Sequence, residues 1–262
     1  MNAGRRAALV TGASSGIGRA FAECFARDGW NVAIVARDGE RLRAVAGDLH
    51  ARFGVDVPAI ELDLAAPNAA QRLFDAANVL EYEIDALVNN AGFATYGNFA
   101  EIPLSNEREE LCVNVVALTE ATKLFLRPML ARGRGRICNV ASTAGFLPGP
   151  KMAVYYASKA YVLSFSEALS EELRGSGVSV TCLAPGPTAS GFQARAGVEK
   201  TRLVKRFRIA TSESVARAGY AGMHAGKRLV VPGLMNRAIA FAPRLVPRSM
   251  LLRISKKTLE KS

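Results

Sequence analysis

Tyr155 and Lys159, four residues apart, are the pair in this sequence best suited to acid–base chemistry. In a helix, this spacing places two residues one turn apart on the same face, so an ammonium group would lie beside a phenol. A free phenol has a pKa of about 10, and a neighbouring cation lowers it by favouring the phenolate. Because acid–base catalysis works best with a pKa near the operating pH, the pair predicts proton transfer to a carbonyl or from a hydroxyl group.

Ser142 is the third candidate catalytic residue. It follows the apolar segment 135–141, which predicts a strand, so its hydroxyl would lie at the carboxyl end of that strand. Open α/β sheets bind their ligands at this edge. A Tyr-x-x-x-Lys pair alone is most often an ordinary exposed couple, and the assignment therefore depends on the rest of the chain.

The elements that must position these residues alternate between strand and helix. The catalytic pair lies in a helix predicted over 151–174, and a longer helix is predicted over 105–131. Strands are predicted at 7–10, 30–36, 57–62, 84–88, 135–141, 178–183 and 229–232. Such alternation in 262 residues predicts an α/β fold with one domain, a doubly wound, seven-stranded parallel sheet flanked by helices.

A glycine-rich turn, Thr11 to Gly18, separates the first strand from a helix. Its glycines let the backbone approach a phosphate group, and the helix N-terminus presents free N–H groups and the positive end of a dipole. The turn therefore predicts a nucleotide site. Its candidate contacts are Gly12, Ser14, Ser15, Gly16, Ile17 and Gly18.

Arg37, directly after the second strand, bears on the choice of cofactor. A carboxylate at this strand end binds the free ribose 2′-hydroxyl of NAD, whereas an arginine accommodates the 2′-phosphate of NADP. We therefore predict NADP(H) in preference to NAD(H). Two residues weaken the preference. Asp38 is adjacent, although it suits the N-cap of the next helix, and Ser15 occupies a turn position where a second basic residue would strengthen the prediction.

Two further strand ends carry candidate cofactor contacts. Asp63, followed by Leu64, can accept a hydrogen bond from an adenine amino group or cap a turn, and the spacing favours neither role. After the fourth strand, Asn90, Ala91 and Gly92 suit a turn that packs closely on the first loop and on the cofactor ribose.

Asn114 and Thr188 are two further polar candidates. Asn114 lies among valines in the helix over 105–131. An unsatisfied buried amide costs about 1–3 kcal/mol, so Asn114 is either a structural cross-link or a polar member of the active site. Thr188 follows Pro185 and Gly186 in a rigid turn at another strand end, where it can bind a cofactor amide or phosphate.

The net charge of +11 is concentrated in two segments, with +5 at 195–208 and +6 at 236–262. Charge confined to two segments, without a recognisable DNA- or RNA-binding motif, does not indicate nucleic-acid binding. Residues 189–226 are irregular, basic and punctuated by glycine, and we expect them to cover the substrate.

The C-terminal tail has two interpretations. Residues 248–260 predict a basic amphipathic helix with Met250, Leu251 and Ile254 on one side. That side would either attach to an anionic membrane surface, as a peripheral contact through 236–262, or pack on the body or on a second subunit. We favour packing.

Cysteine usage and hydropathy indicate a cytoplasmic protein. Four single cysteines without a Cys-x-x-Cys motif predict reduced core thiols and no metal site. No apolar run is long enough to span a membrane, and the first strand begins so early that we expect no signal peptide.

Together these motifs resemble the classical short-chain dehydrogenase/reductases. The matching motifs, in the family's order and spacing, are Thr11-Gly12-x-x-x-Gly16-x-Gly18, Asn89-Asn90-Ala91-Gly92, Asn114, Ser142, Tyr155-x-x-x-Lys159 and Pro185-Gly186. The resemblance covers about residues 5–232 and implies a Rossmann-type catalytic domain over 1–232 with a nicotinamide cofactor. The basic tail, 233–262, departs from the family pattern. We also expect a homodimer or homotetramer.

The resemblance implies a role for each catalytic residue. Tyr155 would protonate the carbonyl oxygen or deprotonate the alcohol. Lys159 would lower the pKa of Tyr155 and bind the nicotinamide ribose. Ser142 would hydrogen-bond the reacting oxygen, and Asn114 would hold a water in the proton relay. Tyr156 is the neighbouring candidate acid, but it lacks the four-residue offset from the lysine.

The resemblance also supports two cofactor contacts. Arg37 fits the position of an arginine in NADP-preferring members, and Asp63 is implied to contact the adenine.

The apolar and basic residues of the cover suit a lipophilic ketone or a 3-oxoacyl-type substrate, carried on an acidic carrier or near a membrane. Fold alone does not determine the substrate.

Two alternative functions stay open. An epimerase or dehydratase of the same superfamily would share the tyrosine and lysine. Such an enzyme usually has a longer chain and the spacing Gly-x-x-Gly-x-x-Gly in its first turn. A non-enzymatic NADP-binding sensor would keep the cofactor fold without needing all four catalytic residues.

Overall fold

Parallel strands form the centre of the molecule. The computed structural model describes residues 5–80, 82–189, 191, 197 and 209–260. The strands, in chain order, are β1 (Arg5–Thr11), β2 (Asn31–Ala36), β3 (Ala59–Glu61), β4 (Tyr82–Asn89), β5 (Gly135–Val140), β6 (Val178–Leu183), β7 (Thr188–Ala189), β8 (Ala210–Thr211) and β9 (Leu229–Val230).

The central sheet has seven strands in the order β3-β2-β1-β4-β5-β6-β9, and every neighbouring pair is parallel. The strand order reverses direction between β1 and β4, which makes a crevice at their carboxyl ends. The prediction of a doubly wound, seven-stranded parallel sheet is confirmed. β7 and β8 form a separate two-stranded ladder.

Helices connect the strands. In the described part of the chain they are α1 (Gly16–Arg27), α2 (Gly39–Phe53), α3 (Ala69–Asn78), α4 (Leu104–Leu111), α5 (Leu118–Arg132), α6 (Ala153–Glu172), α7 (Ser212–His224), α8 (Leu234–Phe241) and α9 (Arg248–Leu259). The single helix predicted over 105–131 is instead two helices, α4 and α5, joined by a π-helical segment, Cys112–Ala117.

The core lies on both faces of the sheet because side chains alternate along each strand. On β1, Ala8 and Val10 face a cluster that includes residues of α1, α2 and α7. Ala7 and Leu9 face the opposite cluster, which includes residues of α3 and α5. The two clusters fix the strand ends relative to one another, and these ends carry the candidate site.

Part of the segment 189–226, which we expect to cover the substrate, is a core helix. Residues 212–224 form α7, whose Val215, Ala216 and Met223 are buried in the core cluster beside α1. Helical spacing of these apolar residues explains the packing, and this stretch does not lie over the cleft. The basic segment 195–208 lies outside the described residues, except for Gly197.

The tail packs on the body, but not through the side that the sequence predicts. α9 buries Leu251, Ser255 and Leu259, which follow one another at intervals of four residues. Met250 and Ile254, predicted to share a face with Leu251, are exposed. None of the helices in the described ranges is long and apolar enough to cross a bilayer.

The cysteines are all free, and only some of them are core residues. Cys138 and Cys182 are buried in the sheet, and burial raises the pKa of the Cys182 thiol to about 12. Cys24 and Cys112 are half-buried, and Cys24 packs against the core cluster beside α1, so the prediction of fully buried core thiols holds only for Cys138 and Cys182.

Candidate active site

A cleft of about 360 Å³ opens at the carboxyl ends of the central strands. Its lining combines the turn after β1, the loops after β2 to β5, the start of α6 and the turn after β6. The predicted site residues in this lining are Gly12, Ser14, Ser15, Gly16, Ile17, Arg37, Asp63, Leu64, Asn90, Ala91, Gly92, Ser142, Tyr155, Lys159, Pro185, Gly186 and Thr188. Gly18 and Asn114 support the wall from behind.

Close backbone contacts hold the glycine-rich turn against the loop after β4. The Asn90 side-chain amide donates to the carbonyls of Thr11 (2.9 Å) and Gly12 (3.2 Å). The Thr11 hydroxyl accepts from the N–H groups of Asn90 and Ala91, at 3.0 Å each. A Cβ on Gly18 would clash with the Gly12 carbonyl and lie 2.5 Å from the Asn90 amide nitrogen. Only glycine fits there, and the expected packing of the two loops is present.

Ser142, Tyr155 and Lys159 meet on one side of the cleft. α6 presents the tyrosine and lysine on one face, with the ammonium nitrogen 5.8 Å from the centroid of the phenol ring. The Tyr155 and Ser142 side chains are hydrogen-bonded to each other. Ser142 Oγ also accepts from the Ala144 N–H at 3.1 Å, and Lys159 Nζ donates to the Val140 carbonyl at 2.9 Å. The geometry expected from the spacing is therefore present.

Burial controls the protonation of these side chains. It raises the pKa of the Tyr155 phenol above its ordinary value, and the hydrogen bond with Ser142 opposes this only in part. Burial also lowers the pKa of Lys159 to about 8. The net shift of the phenol pKa is therefore upward and not downward as expected from the neighbouring ammonium, because desolvation of the ring is the largest effect on it.

Asn114 lies in the π-helical segment and is fully buried. Its amide nitrogen donates to the Phe93 carbonyl (2.9 Å) and the Ser158 hydroxyl (3.1 Å), and its oxygen accepts from the Phe93 N–H (3.1 Å). A Cβ on Gly92 would lie 2.9 Å from that oxygen and 3.3 Å from Lys159 Nζ. These contacts make the side chain a structural cross-link between the loop after β4 and α6, and its role in a proton relay stays a prediction.

Glu110 is a buried acid near the site that the sequence did not single out. Its carboxyl accepts from the Thr95 N–H and hydroxyl, at 2.8 Å each. Burial raises its pKa to about 7, and the positive charge of Lys159 acts in the opposite direction. The signal that could have found it is its position four residues before Asn114, which predicts a shared helix face.

The residues after β2 and β3 line the cleft and also have partners within the protein. The Arg37 guanidinium is about half exposed and donates to the Glu109 carboxylate at 2.8 Å. Asp38 accepts from the Arg41 N–H at 3.0 Å, which is the N-cap role expected of it. Asp63 caps its own turn by accepting from the backbone two residues on, at 3.0 Å.

The C-terminal helix α9 supports the wall formed by two tyrosines. Leu259 packs in one buried cluster with Tyr155 and Tyr156. The Tyr96 hydroxyl donates to the Leu259 carbonyl at 2.7 Å, and the Ser255 side chain is hydrogen-bonded to that of Tyr156. No local sequence pattern indicates these contacts, because they join segments about a hundred residues apart or more.

Comparison with known proteins agrees with this geometry. A family profile described as short chain dehydrogenase matches residues 6–201. The chain is 35% identical over 182 residues to the very-long-chain 3-oxoacyl-CoA reductase of Rattus norvegicus, covering 68% of this chain and 58% of that protein. It therefore spans less than two thirds of that relative. It is also 35% identical over 181 residues to a 3-oxoacyl-(acyl-carrier-protein) reductase of Aquifex aeolicus, covering 69% of this chain and 73% of that one.

A solved structure extends the similarity to almost the whole chain. The short-chain dehydrogenase from Sphingobium yanoikuyae in complex with NADPH is 32% identical, with a TM-score of 0.82, and covers 91% of this chain and 93% of that one. With the family profile matched over more than half of its length, the chain belongs to the classical short-chain dehydrogenase/reductase family.

Proposed function

We propose that this protein is an NADP-dependent oxidoreductase that reduces a lipophilic ketone or a 3-oxoacyl-type substrate. One observation carries the proposal. The hydrogen-bonded pair of Tyr155 and Ser142, together with Lys159, lines the same cleft as the glycine-rich turn. A proton donor and a nucleotide site therefore open onto one space at the carboxyl edge of the sheet.

The residues around the cleft fit a nicotinamide dinucleotide. The N-terminus of α1 faces it, and Gly12 and Gly18 let the turn before α1 pack directly on the loop after β4. Asn90, Ala91 and Thr188 line the same wall. When bound, the nicotinamide supplies the hydride for the substrate carbon.

The side chains of this protein supply the proton and hold the substrate. The Tyr155 phenol is protonated at neutral pH, so it holds a proton that it can donate to a carbonyl oxygen. The Ser142 hydroxyl, which is hydrogen-bonded to the phenol, would also hydrogen-bond the carbonyl oxygen of the substrate. Lys159 gives one N–H group to Val140 and has further donors for the nicotinamide ribose. Its charge would also stabilise the phenolate that remains.

Arg37 supports the preference for NADP. It lines the cleft with its guanidinium half exposed, and it can exchange the Glu109 carboxylate for a 2′-phosphate. Asp38, the residue that would favour NAD, is engaged in capping α2. The NADPH complex of the Sphingobium relative points the same way.

An apolar wall and the known relatives support a lipophilic substrate. Beside the catalytic residues, the lining includes Phe93, Met152 and Tyr156. Two relatives are named as reductases of 3-oxoacyl groups, one on coenzyme A and one on an acyl carrier protein. A 3-oxoacyl chain presents a ketone on a long apolar tail, which suits this wall.

NADPH consumption against a panel of ketones and 3-oxoacyl thioesters tests the proposal. Because Tyr155 is the proposed acid, Tyr155→Phe should lower kcat by about 10²–10⁴-fold. The affinity for NADPH, measured by fluorescence titration, should change less than about threefold because the ring remains. Tyr161→Phe, on the exposed part of the same helix, is the matched control and should leave kcat unchanged.

Two results would count against an enzyme of this kind. Tight NADPH binding with no turnover of any ketone would favour a sensor. Equal activity of Tyr155→Phe and the unaltered protein would show that the phenol is not the proton donor.

A further inference from the structure

The C-terminal segment 234–260 exposes an unusual amount of apolar surface. Half of the large apolar side chains that are exposed in the described residues fall between 234 and 254. Leu234 is 82% exposed and Leu245 is 73% exposed. The exposed apolar residues of this segment, which we call the C-terminal surface, are Leu234, Met235, Phe241, Leu245, Met250, Leu252 and Ile254.

The charged side chains around the C-terminal surface are basic, and the one acidic residue of the segment 234–260 is Glu260, directly after α9. Residues 234–259 contain basic side chains and no acidic ones. The basic residues are Arg237, Arg244, Arg248, Arg253, Lys256 and Lys257. Within the described residues, the ion pairs of the structure involve none of these six. Apolar and cationic groups are therefore presented together, and these six cations form no ion pair within the described part of the chain.

The helix faces explain why this surface stays uncovered. On α8, Leu234, Ala238 and Phe241 repeat at helical spacing on an exposed face, and the helix buries no residue. On α9, the face that contacts the body is already used, by Leu251, Ser255 and Leu259. Met250 and Ile254 lie one turn apart outside that contact, so folding of the chain alone does not bury them.

We propose that the C-terminal surface docks on the headgroup region of an anionic lipid bilayer. Helices with exposed apolar residues among basic ones bind in the plane of the interface, and each cation near the surface adds attraction to anionic lipid. α8 has 8 residues and α9 has 12, a length that suits contact in the plane of the interface. A second copy of the chain is a poorer occupant, because a two-fold contact would bring two unneutralised basic surfaces together.

The position of α9 gives the docking a consequence for the cleft. The same helix that exposes Met250 and Ile254 packs Leu259 against Tyr155 and Tyr156. A docked protein would hold the catalytic wall close to the bilayer, where a lipophilic substrate is concentrated. This consequence rests on the proposed function, whereas docking itself does not and is measured without turnover.

Vesicle co-sedimentation of the full chain tests the proposal. We expect binding to phosphatidylcholine vesicles that contain phosphatidylserine, and at least tenfold weaker binding to phosphatidylcholine alone or at high salt. Leu234→Ser/Leu245→Ser should weaken the binding at least tenfold. Val79→Ser/Phe99→Ser removes apolar side chains that are 80% and 66% exposed elsewhere, and should leave binding unchanged.

The charge of the surface is tested separately. Arg244→Glu/Lys256→Glu should weaken binding to the anionic vesicles at least tenfold, whereas Arg72→Glu/Lys227→Glu, with the same change of charge elsewhere, should not. Absence of vesicle binding would overturn the proposal, as would equal losses in the control variants. So would a dimer in sedimentation velocity that Leu234→Ser/Leu245→Ser dissociates without any vesicle binding, since the surface would then join two copies.

Discussion

Burial sets the chemistry of Tyr155, Lys159 and Glu110 in three different ways. It keeps the phenol protonated, brings the pKa of the ammonium down to about 8, and raises that of the carboxyl to about 7. Burial thus brings the pKa values of the ammonium and the carboxyl towards each other, so both groups can exchange a proton near neutral pH.

Glu110 makes stability depend on pH. Its pKa is about 7 in the folded protein, against an ordinary value of 4.5, so the folded state binds this proton more tightly. The stability that the proton confers is complete below pH 4.5 and is lost as the pH rises through about 7. Glu110→Gln has no proton to lose. Its Tm relative to the unaltered protein should therefore rise between pH 5 and pH 8, by about 2–4 °C for each kcal/mol of relief.

Differential scanning calorimetry across that pH range measures the effect. Glu120→Gln, which changes an exposed carboxylate, is the control and should give the same Tm difference at both ends. A Glu110→Gln difference that did not vary with pH would show that the carboxyl is not held protonated by the fold.

Arg37 should determine the choice between cofactors. Removing a charge-assisted contact with the 2′-phosphate costs about 1.5–3 kcal/mol, so Arg37→Ala should weaken NADPH binding by about ten- to a hundredfold. NADH lacks the phosphate and should bind within about threefold of its original affinity. Fluorescence titration of both cofactors measures the two constants. Arg43→Ala, on α2, is the control, and equal losses for both cofactors in Arg37→Ala would contradict the preference for NADP.

At the scale of elements, two irregular segments hold the site. The turn into α1 has room for glycine only, because its backbone packs directly on the loop after β4. The π-helical segment between α4 and α5 places Asn114 where it ties the Phe93 backbone to α6. Departures from regular helix are frequent at functional sites, and here they position the two sides of the cleft.

Two glycine substitutions, one in the turn before α1 and one inside α2, should have opposite effects on stability. Gly18→Ala places a methyl group against the Gly12 carbonyl, and it should lower the Tm and weaken NADPH binding at least tenfold. Gly47→Ala, inside α2, meets no atom within 4 Å in the described structure and should stabilise the protein by about 0.5–1 kcal/mol. Thermal unfolding and NADPH titration measure both. Unchanged NADPH affinity in Gly18→Ala would contradict the assignment of this turn to the phosphates.

At the scale of the whole molecule, the sheet and the tail bring distant parts of the chain to one wall. β1, β4, β5 and β6 deliver loops from four parts of the chain to the same edge of the sheet. The C-terminal helix then packs behind Tyr155 and Tyr156 through Leu259. The wall of the cleft formed by Tyr155 and Tyr156 and the C-terminal helix therefore form one packed unit.

That unit predicts a stability effect far from the sheet. Leu259 is 1% exposed, and Leu259→Ala should lower the free energy of unfolding by about 2–5 kcal/mol. Leu252→Ala, on the exposed side of the same helix, should change it by less than about 0.5 kcal/mol. Urea unfolding measures both values. Similar small effects for the two variants would mean that the tail is not part of the cooperative core.

Local pattern was enough to predict the sheet and most of the site. Seven strands, the glycine-rich turn and the Tyr155–Lys159 pair each depend on residues close together in the chain. Parallel strands bring their carboxyl ends to one edge, so the predicted residues from separate loops had to meet there. The N-cap role of Asp38 could be predicted for the same reason, since a cap is a contact within one turn.

The sequence by itself thus determined the family, the sheet and the residues that line the cleft. Only the tertiary structure decided the direction of the Tyr155 pKa, the cross-linking role of Asn114, the burial of α7 and the docking of α9 on the catalytic wall. Each of these depends on side chains from elements far apart in sequence, whose packing removes water or supplies a hydrogen-bond partner. Desolvation and long-range packing leave no periodic trace in the chain, and so they had to be seen in three dimensions.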